Sequence, residues 1–291
     1  VARIQITSLL PAIIQPMIID GSTQTTFTGD LNTGFFGTGG TVGCNSLTLP
    51  TVNKPEVEIF SAGGTRQTFC FEIAASNVEV KNLSMYGFGG TLTAGMGNRH
   101  AEIIVRSGRA ITISNNVFGF PANGLMADPG TIRTVGSHII VGTHRNLNQT
   151  TSAQNVTINS NIIAYASFRG IATPYSGGLD DLAVTLDTLV ISGNEIVDNG
   201  KATTSQSRGN IEILTAYQRL GSSLKNLQIT GNLIAGCAND AGLELAYSNA
   251  DFNVDIRSNT FQNNLIGIRL TNDFGNDMPT AGGNGIGGNS S

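Results

Sequence analysis

An internal repeat constrains this chain more than any other feature of its sequence. In each copy two apolar residues flank a variable one, two small or polar residues follow, and an asparagine precedes a second apolar position. A repeat of this kind determines the whole architecture, because each copy packs against the next. Six copies fit the pattern, the first of them least closely: residues 77–85, 111–118, 156–163, 189–196, 227–234 and 254–261.

The spacing within each copy predicts strands. Apolar residues two apart lie on one face of a strand, and the polar pair then turns the chain into a second short strand. A third alternating element follows most copies, at 124–127, 170–173, 210–213, 242–245 and 267–270. No 3.6-residue period is visible, which excludes a helical solenoid. The prediction is an all-β, single-stranded parallel β-helix of about seven or eight turns, with three short strands per turn.

The alternation also predicts which side chains point inward, where stacked turns bury them together. The first strands contribute Val78/Val80, Ile111/Ile113, Val156/Ile158, Leu189/Ile191, Leu227/Ile229 and Val254/Ile256. The second contribute Met85, Phe118, Ile163, Ile196, Ile234 and Phe261. The third contribute Leu125, Ile171, Ile211, Leu243 and Ile268, followed by Ile213, Leu245 and Leu270.

One asparagine recurs at the same corner of five successive copies. Identical asparagines in stacked strands can hydrogen-bond along the stack, so a structural ladder is predicted. The intervals of 45, 33, 38 and 27 residues are uneven, and the extra residues are assigned to loops at 128–154, 175–187 and 200–207. The predicted ladder is Asn116, Asn161, Asn194, Asn232 and Asn259.

The repeat covers most of the chain, which predicts one domain spanning residues 1–291. Residues 1–76 form irregular opening turns, with strands expected near 4–6, 17–19, 57–59 and 69–73. Residues 77–275 form the regular turns, and the Gly-rich segment 276–291 is a flexible tail by composition.

Composition narrows the class of protein. Charged residues are only 12 % and the net charge is −4, which argues against a basic nucleic-acid footprint. No apolar stretch is long enough for a transmembrane helix. The richness in Asn, Thr, Ser and Gly is typical of extracellular chains. Cys44 and Cys70 could then pair and leave Cys237 buried, although three small core residues are an equal reading.

These repeat units resemble those of the pectate-lyase-like superfamily of right-handed parallel β-helices. Residues 10–24, LPAIIQPMIIDGSTQ, also resemble the LPAITxPVxIDGxTQ start of large bacterial cell-surface and secreted proteins. The resemblance implies a right-handed coil and an extracellular or cell-surface location in a bacterium. Enzymes of the superfamily are mostly polysaccharide lyases and hydrolases. Asp180-Asp181 is present here, but without the Asn-x-Asp, Gly-His-Gly or Arg-x-Lys patterns of those enzymes.

The best candidate for chemistry lies on the third strands. Between the inward residues, Ala172, Glu212, Glu244 and Arg269 occupy equivalent positions in successive turns. Two carboxylates about 5 Å apart raise each other's pKa, which suits general acid–base work or Ca²⁺ binding. An ordinary surface ion pair between Glu244 and Arg269 is the favoured interpretation.

Aromatic and apolar side chains are also predicted on the surface. Tyr175, Tyr217 and Tyr247 lie near the ends of these strands, where aromatic rings bind sugars or simply cover loops. Val117, Ile162 and Leu233 point outward from the second strands, which predicts cover by a loop or by a partner subunit. The histidines His100, His138 and His144 lack zinc-site spacing, so no metal site is expected.

The favoured function is therefore a non-catalytic, extracellular, structural or adhesive β-helix that self-associates into a surface assembly or filament. The alternative is a polysaccharide lyase or glycoside hydrolase that uses Glu212, Glu244 and Arg269. No cofactor is expected unless this enzyme reading holds, in which case Ca²⁺ would be the candidate. A third reading is a trimeric, tailspike-like module that binds an extracellular polysaccharide.

Overall fold

Three long parallel sheets dominate the computed structural model, which describes residues 1–62, 66–90, 100–143, 149–173, 181–202, 209–216, 223–247, 253–271 and 285–287. From Val57 onward the described strands join the sheets in rotation, and every pairing within these sheets is parallel. We name the sheets 1, 2 and 3 in the order in which a repeat visits them. The arrangement is all-β and consistent with the predicted parallel β-helix.

Each sheet collects one strand from each successive repeat. Sheet 1 contains Met17–Asp20, Val78–Lys81, Ser107–Ser114, Gln149–Asn159, Asp181–Ser192, Ser223–Thr230, Asn253–Arg257 and Gly285–Gly287. Sheet 2 contains Ala2–Gln5, Val57–Phe60, Ser84–Tyr86, Val117–Phe118, Ile162–Ala164, Glu195–Val197, Leu233–Ala235 and Thr260–Gln262. Sheet 3 contains Phe69–Ile73, Ala101–Val105, Ser137–Val141, Ile171–Thr173, Ile211–Ala216, Ala241–Tyr247 and Ile266–Thr271.

The three sheets enclose one apolar core. In sheet 1, for example, Ile111 pairs in register with Val78 on one side and Val156 on the other, and all three side chains are buried. Burying each such side chain stabilises the fold by about 1.5–3 kcal/mol, and each turn supplies the apolar cover for its neighbours. The alternation in the sequence therefore does place aliphatic columns inside, except that Leu270 of the last strand of sheet 3 is 44 % exposed and not inward as predicted.

The opening residues form strands where the sequence predicts them. Ala2–Gln5 and Met17–Asp20 lie at the edges of sheets 2 and 1, and Ile13 forms a parallel bridge to Ile73 beside sheet 3. A short helix, Ser22–Thr28, follows without a buried residue, and the sequence did not predict it. None of the described helices is long and apolar enough to cross a membrane.

Residues 30–54, which we call the arm, leave the coil altogether. Phe35–Phe36 pairs antiparallel with Val52–Asn53, and further out Thr41–Val42 pairs antiparallel with Leu47–Thr48. The arm is thus a long β-hairpin, which the Gly- and Thr-rich composition of residues 29–43 did not reveal.

One predicted strand is wrong. Residues 124–127 form bends, and the side chain of Leu125 is 84 % exposed instead of inward. The third strand of that turn is Ser137–Val141, which places Ile139 in the core between Ile103 and Ile171. The segment 128–154 is therefore not one loop, because it also contains a single 3-10 turn at Gly130–Ile132 and the start of Gln149–Asn159. The predicted loop 175–187 likewise ends inside Asp181–Ser192.

Candidate functional site

The asparagines of the predicted ladder lie one above another at the corner between sheets 1 and 2. In the first four, the amide Nδ2 donates to the Oδ1 of the next asparagine over 2.9–3.2 Å, and the backbone N–H donates to the same oxygen. All five side chains are fully buried. The residues of the ladder, Asn116, Asn161, Asn194, Asn232 and Asn259, satisfy the backbone groups that a sharp corner would otherwise leave without partners.

A second asparagine column, which sequence reasoning missed, lies at the corner between sheets 2 and 3. The Nδ2 of Asn199 donates to the Oδ1 of Asn210 over 3.0 Å, and the Nδ2 of Asn210 donates to the Oδ1 of Asn264 over 3.2 Å. A signal existed, because Asn199 and Asn264 each follow the second-strand apolar residue by three positions. Ala166 and Cys237 interrupt the pattern at the equivalent places.

The arm covers the outer face of sheet 2. Phe36 of the arm packs edge-on against Phe120, with ring centroids 5.1 Å apart. Together with Val52 it forms a buried cluster with Val117 and Ile162, against which Leu233 packs. The apolar outward residues are thus covered by a loop of the same chain, which is one of the two covers that the sequence predicted.

Polar contacts fasten the arm along the length of this face. Near its base Asn32 donates to the carbonyl of Ala122, and midway the backbone N–H of Thr38 donates to the buried carboxylate of Glu195 over 2.7 Å. At the tip the N–H of Gly43 donates to Oγ1 of Thr260 over 2.9 Å. The arm therefore runs from the first turns of the coil to the last described ones.

The predicted chemical site lies on sheet 3. The register places Ala172 beside Glu212, Glu212 beside Glu244, and Glu244 beside Arg269. Glu212 is only 1 % exposed and forms an ion pair with the equally buried Arg169, a partner that the sequence analysis did not identify. Glu212 is therefore buried, and the ion pair between Glu244 and Arg269 that the sequence favoured is present beside it.

The electrostatics of this site differ between the two glutamates. Burial raises the pKa of Glu212 to about 7, because the Arg169 guanidinium only partly offsets the loss of hydration. Its Oε2 atom is buried and accepts no hydrogen bond from the described residues. Burial also raises the pKa of Glu244, while Arg269, 3.3 Å from its Oε2, opposes that shift. Arg269 pairs with Asp240 as well.

Several predicted residues cannot be placed at this site. Tyr175, Tyr217 and Asp180 lie outside the described residues. The backbone of Tyr247 pairs with Ala216 at the end of its strand, but its side chain is not among those described. The prediction that tyrosines bind sugars here stays a prediction.

Sheet 1 carries a different outer face. Two adjacent columns of outward residues run through its four central strands, and we call them the neutral face. In register they are Thr112, Thr157, Val190 and Gln228, and Ser114, Asn159, Ser192 and Thr230. Seven of these eight side chains are hydroxyls or amides, and none is charged. Ser114 is buried, whereas the other seven side chains are half-buried or exposed.

A buried polar group also lies inside the coil. Nδ1 of His138 is 2.9 Å from Oε2 of Glu102, and Nε2 of His138 is 2.8 Å from the carbonyl oxygen of Ala164. Thr134 donates to the other carboxylate oxygen. Because the carbonyl can only accept, Nε2 carries a proton, and a second proton is held between His138 and Glu102. Both side chains are fully buried, so this pair is structural and out of reach of a ligand.

The cysteines and possible metal ligands add no further site. Cys44 is exposed at the tip of the arm, Cys70 is buried, and the two form no disulfide. Burial raises the pKa of the Cys70 thiol, as it does that of Cys237. In the part of the chain that the structure describes, no three His, Cys, Asp or Glu side chains converge to hold a metal ion.

No protein-family model, no curated protein and no solved structure matches this chain.

Proposed function

We propose that this protein is a right-handed parallel β-helix of about seven or eight turns with a non-catalytic, structural or adhesive role outside the cell. In this proposal copies associate into a surface assembly or filament. The resemblance of residues 10–24 to bacterial cell-surface proteins supports the location.

The observation that carries the proposal is the low share of charged residues, 12 %, which removes the usual electrostatic barrier to association between copies. Apolar side chains also remain exposed on the opening strands: Ile4 and Met17, in register with Ile59 and Val78, are 46 % and 40 % exposed. Association between copies would remove such side chains from water.

Sedimentation velocity over a wide concentration range tests this proposal. We expect large species for the wild type and smaller ones for Met17→Lys, since a lysine replaces exposed apolar surface with a charge that opposes association. Leu125→Lys is the matched control, because Leu125 is exposed and lies outside every strand. A wild type that is monomeric at all concentrations contradicts the proposal. Equal dissociation by Leu125→Lys also contradicts it.

The second candidate is a polysaccharide lyase or hydrolase, and the state of Glu212 favours it. A carboxyl with a pKa of about 7 remains partly protonated at neutral pH, as a general acid must be, and at 1 % exposure Glu212 would first have to become accessible to the substrate. A panel of acidic and neutral polysaccharides, with and without Ca²⁺, tests this candidate. It requires product from the wild type and loss of product in Glu212→Gln and Glu244→Gln. Absence of product from every polysaccharide removes it.

A further inference from the structure

Two Asn-Gly sequences of this chain lie in opposite environments. Asn123-Gly124 forms part of an exposed bend after the strand Val117–Phe118, whereas Asn199-Gly200 is buried in the second asparagine column. A third, at 284–285, lies partly outside the described residues. In such a sequence the backbone nitrogen of the glycine can attack the asparagine side chain, because glycine has no Cβ that hinders the approach. The surroundings then decide whether the reaction occurs.

At Asn123 both reacting groups are free. The side chain of Asn123 is exposed and forms no hydrogen bond to any residue that the structure describes, and the same holds for the backbone N–H of Gly124. Gly124 has a φ of +96°, and a Cβ placed on it would meet nothing within 4 Å. The bend therefore leaves room for the asparagine side chain to close a ring onto the next backbone nitrogen.

At Asn199 the same groups are held in place. Nδ2 of Asn199 donates to the carbonyl of Ile163 and to Oδ1 of Asn210, each over 3.0 Å, and its Oδ1 accepts from the N–H of Ala166 over 2.9 Å. All three bonds must break before the side chain can turn toward the nitrogen of Gly200. Opening a buried part of the core costs a free energy close to that of global unfolding, so the second column protects this asparagine.

We propose that Asn123 is a site of spontaneous deamidation in the folded protein. The backbone nitrogen of Gly124 bonds to Cγ of Asn123, the bond between Cγ and Nδ2 breaks, and Nδ2 leaves as ammonia with the proton that the Gly124 N–H gives up. Water then opens the resulting succinimide at either of its carbonyl carbons and leaves aspartate or isoaspartate at position 123. Water is the only co-reactant, and neither step depends on the proposed self-association.

The modification acts on the base of the arm. Nδ2 of Asn32 donates to the carbonyl of Ala122 over 2.9 Å, and Nζ of Lys54 donates to the carbonyl of Gly124 over 3.2 Å. Asn32 and Lys54 belong to the arm, and the two carbonyls flank Asn123. Isoaspartate inserts a methylene group into the backbone between these carbonyls, which changes their spacing. The base of the arm is therefore held less firmly after deamidation.

Peptide mapping by mass spectrometry tests the proposal on the intact chain, aged at mildly alkaline pH in heavy-oxygen water. Trypsin separates the three Asn-Gly sequences into peptides 110–133, 170–201 and 270–291. In the folded protein we expect deamidation to be about tenfold or more faster at Asn123 than at Asn199, and in urea we expect similar rates. Asn123→Gln is the matched variant, because its longer side chain closes a ring far more slowly. Circular dichroism verifies that this variant folds.

Limited proteolysis measures the effect on the arm. The arm should be cleaved faster in aged wild type than in fresh wild type, whereas ageing should not change its cleavage in Asn123→Gln. An Asn123 that stays intact in the folded protein while it deamidates in urea overturns the proposed site. Equal rates at Asn123 and Asn199 in the folded protein also overturn it. Deamidation at Asn123 with equal cleavage of aged wild type and aged Asn123→Gln overturns the effect on the arm.

Discussion

The outer faces of sheets 1 and 2 are built on the same coil, and yet they carry opposite surfaces. They meet at the asparagine ladder, and their strands stack in the same order. On sheet 2 the outward residues Val117 and Ile162 are fully buried under the arm. On sheet 1 the corresponding residues Thr112 and Thr157 remain partly exposed. The packing of the core therefore does not fix which side chains occupy the outward positions. Whether those side chains are apolar or polar depends on whether another segment of the protein covers them.

The largest effect is expected where the arm meets sheet 2. Phe120 is fully buried against Phe36, so Phe120→Ala should lower the free energy of unfolding by about 3–5 kcal/mol. Urea denaturation monitored by circular dichroism measures this change. A loss below about 1 kcal/mol would mean that the arm is not packed on the sheet, and the contrast between the two faces would disappear.

The asparagine ladder at the corner between the two faces is expected to contribute a similar amount to the free energy of unfolding. Asn194→Ala leaves the backbone N–H of Asn161 and the carbonyl of Ile158 without their partners. Each such buried group costs about 1–3 kcal/mol. The same urea experiment should therefore show a marked loss that does not depend on the arm, and the loss should persist in the background of Phe120→Ala. An unchanged midpoint would contradict a structural role for the ladder.

An intermediate effect is expected at the tip of the arm. A Cβ on Gly43 would lie 2.5 Å from the backbone of Ser258, whereas a Cβ on Gly40 would meet nothing within 4 Å. Both glycines have positive φ angles, so alanine is strained at either position, by roughly 1–3 kcal/mol. Only Gly43→Ala should detach the tip. Limited proteolysis should cleave the arm faster in Gly43→Ala than in Gly40→Ala, and equal rates would contradict the docking of the tip.

Glu212 on sheet 3 is expected to make the free energy of unfolding depend on pH. The folded state holds a proton on Glu212 up to about pH 7, whereas the unfolded chain releases it near 4.5. The folded state therefore binds more protons between these values, and this group makes the free energy of unfolding fall as the pH rises from about 4.5 to 7. The slope should be shallower in Glu212→Gln. Urea midpoints across this range measure it, and identical slopes would contradict the raised pKa.

The smallest effect is expected on the neutral face. Thr157→Ala should change the free energy of unfolding by no more than about 0.5 kcal/mol, since its hydroxyl has no partner among the described residues. A loss comparable to that of Phe120→Ala would show that some segment packs on this face. The contrast with sheet 2 would then be wrong.

Much of the fold could be predicted from the alternation and spacing of apolar residues, but one local pattern predicted a strand that does not form. Residues 124–127 match the third-strand pattern as well as residues 170–173 do. Only the pairing of Ser137–Val141 between its two neighbours decides the register, because a strand gains its hydrogen bonds from the adjacent turns and not from its own sequence.

The candidate site was predictable only in part. The alignment of Glu212 with Glu244 follows from the repeat, since equivalent positions stack. The pairing of Glu212 with Arg169 does not, because Arg169 lies in a corner of another turn where no pattern marks it. Burial of that pair, and hence the raised pKa of Glu212, depends on what covers sheet 3.

The sequence by itself determined which side chains face inward and which asparagines stack, because these residues meet their own counterparts in the next repeat. Only the tertiary structure decided what covers the outside. The arm carries no periodicity, and its contacts join residues far apart in the chain, such as Thr38 and Glu195, which are 157 positions apart. Contacts between equivalent residues leave a regular signal in a sequence, whereas a single long-range contact leaves none.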